Sequence, residues 1–81
     1  MDTLSVELVR QAFVDALDLP PETEVEALEI GKTPNWDSVG HMALAAELED
    51  RFGIELETDD LVEMSSFSKS LEILRRYGVA V

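Results

Sequence analysis

Asp37-Ser38-Val39-Gly40-His41-Met42-Ala43-Leu44-Ala45-Ala46-Glu47-Leu48-Glu49-Asp50-Arg51-Phe52-Gly53 is the stretch that decides the architecture. From Ser38 to Phe52 it reads as a helix, and Gly53, which takes positive φ without a steric penalty, is its natural stop. At about 14 residues and 1.5 Å per residue it is roughly 21 Å long. With Ser38 at zero and about 100° per residue, His41, Leu44, Ala45, Leu48 and Phe52 fall between roughly 240° and 340°, a stripe wide enough to face a core. Val39, Met42 and Ala46 fall between roughly 40° and 100°, beside Glu49 near roughly 20° and Asp50 near roughly 120°. This second strip reads either as a wide face packed on two neighbours or, because acids border it, as an exposed docking face.

Outward from this helix the pattern stays helical. Val6, Val9, Phe13, Ala16 and Leu17 lie on one stripe of a helix from about Leu4 to Asp18, with Thr3 or Asp2 as its cap. Pro20-Pro21 ends the periodicity, and the stretch to Pro34 reads as a long loop from which Val25, Leu28 and Ile30 are expected to enter the core. Thr23 and Glu26 suit the cap of a short turn. Thr58 precedes a short helical piece, Asp59 to Met64, with its acids in the first turn where the helix dipole favours them. Ser65 or Ser66 starts a last helix whose stripe is Phe67, Leu71, Leu74 and Tyr77, with Arg75 and Arg76 in its final turn before Gly78. Ile54 to Glu57 alternates and is expected to be extended. The expectation is an all-α fold: a small antiparallel bundle of three main helices plus one short helix, with a long first loop, in a single domain spanning residues 1–81.

At 81 residues, the chain has room for one thin core and no large internal active-site cavity. Eighteen Asp and Glu against six Lys and Arg, a net charge of -12, disfavour nucleic acid and anionic membrane surfaces and favour basic protein partners. With no cysteine, the chain has no thiol nucleophile, disulfide or thiolate metal site of its own. Its longest uninterrupted apolar run, Met42 to Ala46, falls far short of a membrane span, and the acidic start with Asp2 and Glu7 lacks the positive charge of an export signal. A cytoplasmic monomer is expected.

Trp36-Asp37-Ser38-Val39-Gly40-His41-Met42, followed by Leu44, Leu48, Glu49 and Phe52-Gly53-Ile54, resembles the acyl carrier protein family. The resemblance covers nearly the whole chain: acidic composition, long first loop, Asp-Ser at the start of the second helix, and short third helix. It implies that Ser38 carries a 4′-phosphopantetheine arm from coenzyme A, attached by a phosphopantetheinyl transferase, with a part for the adjacent Asp37 during transfer. The thiol of the arm would then hold an acyl or aminoacyl group as a thioester, so the chain itself need not be an enzyme. The implied partners are a loading ligase and a downstream synthase or transferase with basic docking surfaces. Val39, Met42, Ala46, Glu49 and Asp50 would contribute to their recognition. The Trp-Asp-Ser-Val-Gly-His string departs from carriers of primary fatty-acid synthesis, which commonly place leucine after the serine. It looks more like stand-alone carriers of specialised aminoacyl, glyceryl or polyketide-type biosynthesis.

Other readings of the same residues are simpler. Ser38 is also a good N-cap, Asp37 an alternative cap, and Gly40 a small residue near a helix end. His41 packs against the loop, or pairs with Ser38 in a small hydrolase that lacks an evident oriented acid or oxyanion site. Asp59 and Asp60 lack calcium-loop spacing, so no metal is expected. Trp36 closes the loop over the bundle or forms part of a partner surface. The alternative from a different class is an acidic helical adaptor that binds a partner through the same strip and carries no prosthetic group.

Overall fold

The computed structural model describes residues 3–33 and 35–81. The all-α expectation holds: α1 (Thr3–Ala16), a single 3₁₀ turn (Val25–Ala27), α2 (Ser38–Phe52), α3 (Thr58–Glu63) and α4 (Phe67–Arg76) follow in order. Among the described residues, the nearest approach to a sheet is one isolated bridge between Glu29 and Ser66. It ties the first loop to the start of α4, helped by Ile30 N–H donating to Ser65 O at 3.1 Å.

Helix α1 ends two residues before the sequence pattern suggests. Asp18 takes φ 53°, and the Leu19 N–H turns back to Val14 O at 3.0 Å. A left-handed aspartate thus does what glycine usually does at a helix end. The cap at Asp2 lies outside the described residues, as does any capping by the Thr3 side chain. In the 3₁₀ turn Glu24 is the capping residue and makes no side-chain cap bond. Thr23 Oγ1 instead donates to Pro20 O at 2.7 Å, and Glu26 pairs with Arg10 of α1 at 2.8 Å. Residues Ile54–Glu57 are not helical and lead into α3, whose cap position is Glu57, with Thr58 already inside the helix. Ser66 caps α4 by accepting from Lys69 N–H at 3.2 Å.

The core is centred on an aromatic chain. Trp36, fully buried, meets Phe13 of α1 edge to face at 5.3 Å, and Phe13 in turn meets Phe67 of α4 at 5.3 Å. Val9, Leu17, Leu44, Leu48, Met64, Ile73 and Leu74 complete it. Val25 is fully buried and Leu28 packs against the core as expected, but Ile30 is 37% exposed and stays outside it. The bridge at Glu29 explains this, because it carries Ile30 past the core edge towards α3. On the surface, Arg51 of α2 joins Asp15 of α1 at 2.6 Å and Glu47 at 2.9 Å. The Arg51 and Arg10 guanidiniums hold the Asp15 and Glu26 carboxyls below their ordinary range. These two contributions are therefore present at neutral pH and are lost as pH falls through the lowered values.

Gly40 has a packing role rather than ordinary tolerance near a helix end. A Cβ at this position would sit 1.9 Å from Asn35 O and 3.0 Å from Leu17 Cδ2. Asn35, at φ 71°, is anchored by its own Nδ2 donating to Leu17 O at 3.0 Å. The loop backbone thus lies directly on α2, where only hydrogen fits. Gly40→Ala is expected to destabilise the protein by about 1–3 kcal/mol, the cost of overpacking a close contact. Urea denaturation checks this, and an unchanged midpoint would mean that the loop does not press on α2.

Candidate functional site

The start of α2 separates two roles that the sequence leaves joined. Asp37 is the N-cap, with extended backbone and with Oδ1 accepting from Gly40 N–H at 2.9 Å. Ser38 is therefore the first helical residue and is exposed. Its hydroxyl is not the capping group. It lies at a helix end where first-turn amides lack intrahelical partners and the macrodipole favours negative charge.

Three surface depressions surround or follow this serine. The first, about 320 Å³, is an apolar groove between α2 and α3, lined by Ile30, Ser38, His41, Met42, Leu61 and Val62 together with Thr58. Met42 and Val62 are 62% and 78% exposed, so the groove is framed by apolar side chains left in water. The second, about 280 Å³, lies on the other side of Ser38, between the end of α1 and the start of α2, and includes Asp18, Asn35, Asp37, Val39 and Gly40. The third, about 560 Å³, follows the far end of α2 and is lined by Ala46, Glu49, Asp50, Ile54, Glu55 and Leu56.

The strip drawn from helical angles is therefore divided. Met42 joins Ser38 in the α2–α3 groove, while Val39, 80% exposed, lines the opposite hollow. Ala46, Glu49 and Asp50 come together in the third depression. Asp50 is exposed, but Glu49 is half-buried and its Oε2 accepts from Leu56 N–H at 2.8 Å, so it also holds the chain leaving α2. Ile30, Leu61 and Val62 are site-lining residues that the sequence reading did not select. Val62 carried a signal, as an apolar residue on a short acidic helix; Ile30 did not, because a loop has no periodicity from which to read a face.

His41 sits between the core and the groove. Trp36 Nε1 donates to its Nδ1 at 3.0 Å, and its Nε2 lies 2.7 Å from Leu61 O. Indole nitrogen is a donor only and a carbonyl an acceptor only, so the consistent state is neutral imidazole with its proton on Nε2. The ring is stacked near Trp36, with 6.2 Å between centroids and an interplanar angle of 26°. Both nitrogens are engaged, and neither contact is with Ser38. This arrangement does not supply the base of a serine nucleophile.

Helix α3 has no fully buried side chain; Leu61 packs against the core, Met64 at its C-terminal cap is fully buried, and polar contacts tie it to α4. Arg76 of α4 reaches Asp60 at 3.2 Å and Glu63 at 3.1 Å. Tyr77 Oη donates a short hydrogen bond to Asp60 and accepts from Glu57 N–H at 3.0 Å. The bond to Asp60 raises the Tyr77 pKa above its ordinary value.

Comparison with protein-family models, curated proteins and solved structures finds no match for this chain. Among the described residues, no group of three or more His, Cys, Asp or Glu is arranged to hold a metal ion, and no helix is long and apolar enough to cross a membrane.

Asp37→Ala removes the cap and is expected to cost about 0.5–2 kcal/mol, whereas Ser38→Ala should stay within about 0.5 kcal/mol of the parent. Equal losses in chemical denaturation would contradict the division of roles. The single tyrosine provides a second check. Because its pKa is raised, the Tyr77–Asp60 contribution is present below the ordinary tyrosine range and is lost as pH rises through the raised value. Ultraviolet titration should find phenolate forming later than in a free tyrosine, and Asp60→Asn should bring it back down; an Asp60→Asn titration identical to the parent would contradict the contact.

Proposed function

We propose that the chain is a non-catalytic carrier protein, with Ser38 as the attachment point of a 4′-phosphopantetheine arm. The observation that carries this reading is the division of labour at the head of α2. Asp37 caps the helix, and Ser38 is left exposed beside an apolar groove. A serine needed as a cap would lose that hydroxyl on modification, whereas this one is free to become a phosphodiester. The same helix end suits the charge that follows, since first-turn amides and the dipole stabilise an anion there. The arm, once attached, supplies the thiol that this cysteine-free chain lacks and holds an acyl or aminoacyl group as a thioester.

The chain's own residues would position that arm and present it. Val39 and Met42 flank Ser38 on opposite sides, so a partner enzyme meets apolar surface around the attachment point. Asp50, exposed near the far end of α2, adds negative potential that speeds encounter with basic surfaces, each exposed ion pair being worth only about 0–1 kcal/mol. Such weak contacts suit successive brief visits to a transferase, a loading ligase and a downstream synthase or transferase. Tethering raises the local concentration of cargo at each of them. The resemblance to carriers of specialised biosynthesis supports the same reading.

Incubation with coenzyme A, magnesium and a broad-specificity phosphopantetheinyl transferase should add one phosphopantetheine to the parent, read by intact mass, and none to Ser38→Ala. Modification of Ser38→Ala would reject the site. A folded parent left unmodified by several transferases would favour the adaptor, in which the apolar α2–α3 groove binds a partner directly.

A further inference from the structure

We infer, on the carrier reading of Ser38, that the α2–α3 groove is a surface seat for the arm and that its floor is closed. The cargo is then a short acyl or aminoacyl group held outside the bundle, rather than a long chain taken into the core. Of the three depressions described above, only this groove has Ser38 in its lining, and no carboxylate stands there with it. The hollow on the other side of the serine is lined by Asp18 and Asp37, whose charge repels a phosphodiester, and the depression at the far end of α2 by Glu49, Asp50 and Glu55. In the groove, Ile30, Met42, Leu61 and Val62 offer apolar surface to the paired methyl groups that follow the phosphate of a phosphopantetheine. Thr58 adds a hydroxyl able to bond an amide of the arm.

The floor is made by His41 and Trp36. The imidazole of α2 reaches across to α3, with Nε2 at 2.7 Å from Leu61 O, while its Nδ1 accepts from the Trp36 indole at 3.0 Å. Trp36 lies behind that pair, fully buried and edge to face on Phe13, and does not itself line the groove. Neither wall is loose. Leu61 packs against the core, Met64 at the C-terminal cap of α3 is fully buried, and Arg76 and Tyr77 of the α4 end hold Asp60.

A chain passing from the groove into the core has to part His41 from Leu61 and push aside an indole whose N–H then loses its acceptor in a buried place. It also displaces side chains that already fill the interior: Trp36, Leu44, Leu48, Ile73 and Leu74 are all fully buried. The groove, by contrast, is open beside the attachment point and asks for no such exchange. Its volume of about 320 Å³ is shared between the arm and whatever the arm carries, which keeps the seated cargo small.

The test loads the parent with phosphopantetheine, acetyl-phosphopantetheine and octanoyl-phosphopantetheine, using a phosphopantetheinyl transferase and the matching coenzyme A thioesters. Two-dimensional NMR of all three forms should show the Ile30, Leu61 and Val62 amides shifted by attachment; these residues are remote from Ser38 in sequence, so modification of the serine alone does not move them. The Trp36 indole N–H and the methyl groups of Leu44, Leu48 and Leu74 should keep their positions in every form. Each thioester should hydrolyse at nearly the rate of the same acyl group on free pantetheine, because water reaches both. Groove amides that do not shift would overturn the seat. Shifts of the indole and core methyls specific to the octanoyl form, with its hydrolysis slowed at least tenfold, would overturn the closed floor. A folded parent that several transferases leave unloaded would instead overturn the carrier reading, and the seat with it.

Discussion

The structure depends on where one indole N–H goes. Trp36 is the largest side chain in the core, and burying it removes a donor from water that must find an acceptor inside. His41 supplies that acceptor from one turn into α2. The solution fixes the imidazole tautomer, turns its other nitrogen outward to α3, and seats the loop before Ser38 against the helix. Gly40 makes the seating possible, because Asn35 O occupies the volume that any Cβ would claim. Trp36, Gly40 and His41 therefore form one mechanical unit, and Asp37 and Ser38 are held between its parts.

That unit explains why Ser38 is exposed rather than used as the cap. A loop pressed on α2 places Asp37 where its carboxylate reaches the Gly40 amide, and the next residue projects from the helix end. The apolar residues around it are not leftovers of an incomplete core, since the core is closed without them. Met42 and Val62 remain in water on either side of a groove whose two walls are joined by a single hydrogen bond among the described residues.

The charge distribution follows a related logic. Arg10, Lys32, Arg51, Lys69 and Arg76 all pair with carboxylates of the chain, and Arg75 Nε donates to Val81 O at 2.7 Å. Arg10, Arg51 and Arg76 thereby join different elements, whereas Lys32 and Lys69 pair within their own. Exposed carboxylates without an ion-pair partner among the described residues lie both in the first loop, at Asp18, Glu22 and Glu24, and on and near α2 and α3, at Asp50, Glu55 and Asp59.

Helix periodicity, the stops at Gly53 and Gly78, the order of elements and the burial of Phe13, Leu44, Leu48 and Leu74 were all legible in the sequence, because each follows from spacing along a single helix. Ser38 was legible as a candidate through its Asp-Ser context and the family resemblance, but whether it or Asp37 caps α2 was not, since either residue type serves. The three separate environments of Val39, Met42 and Ala46 also lay beyond it, because a helical wheel gives angles and not neighbours. Ile30 shows the same limit from the loop side: its hydrophobicity pointed to the core, and the bridge at Glu29 carried it to the groove. Local pattern determined which segments are helices and which faces are apolar. Only the tertiary structure decided which nitrogen of His41 carries its proton and which helix that proton holds, because both partners arrive from elements the helix itself does not specify.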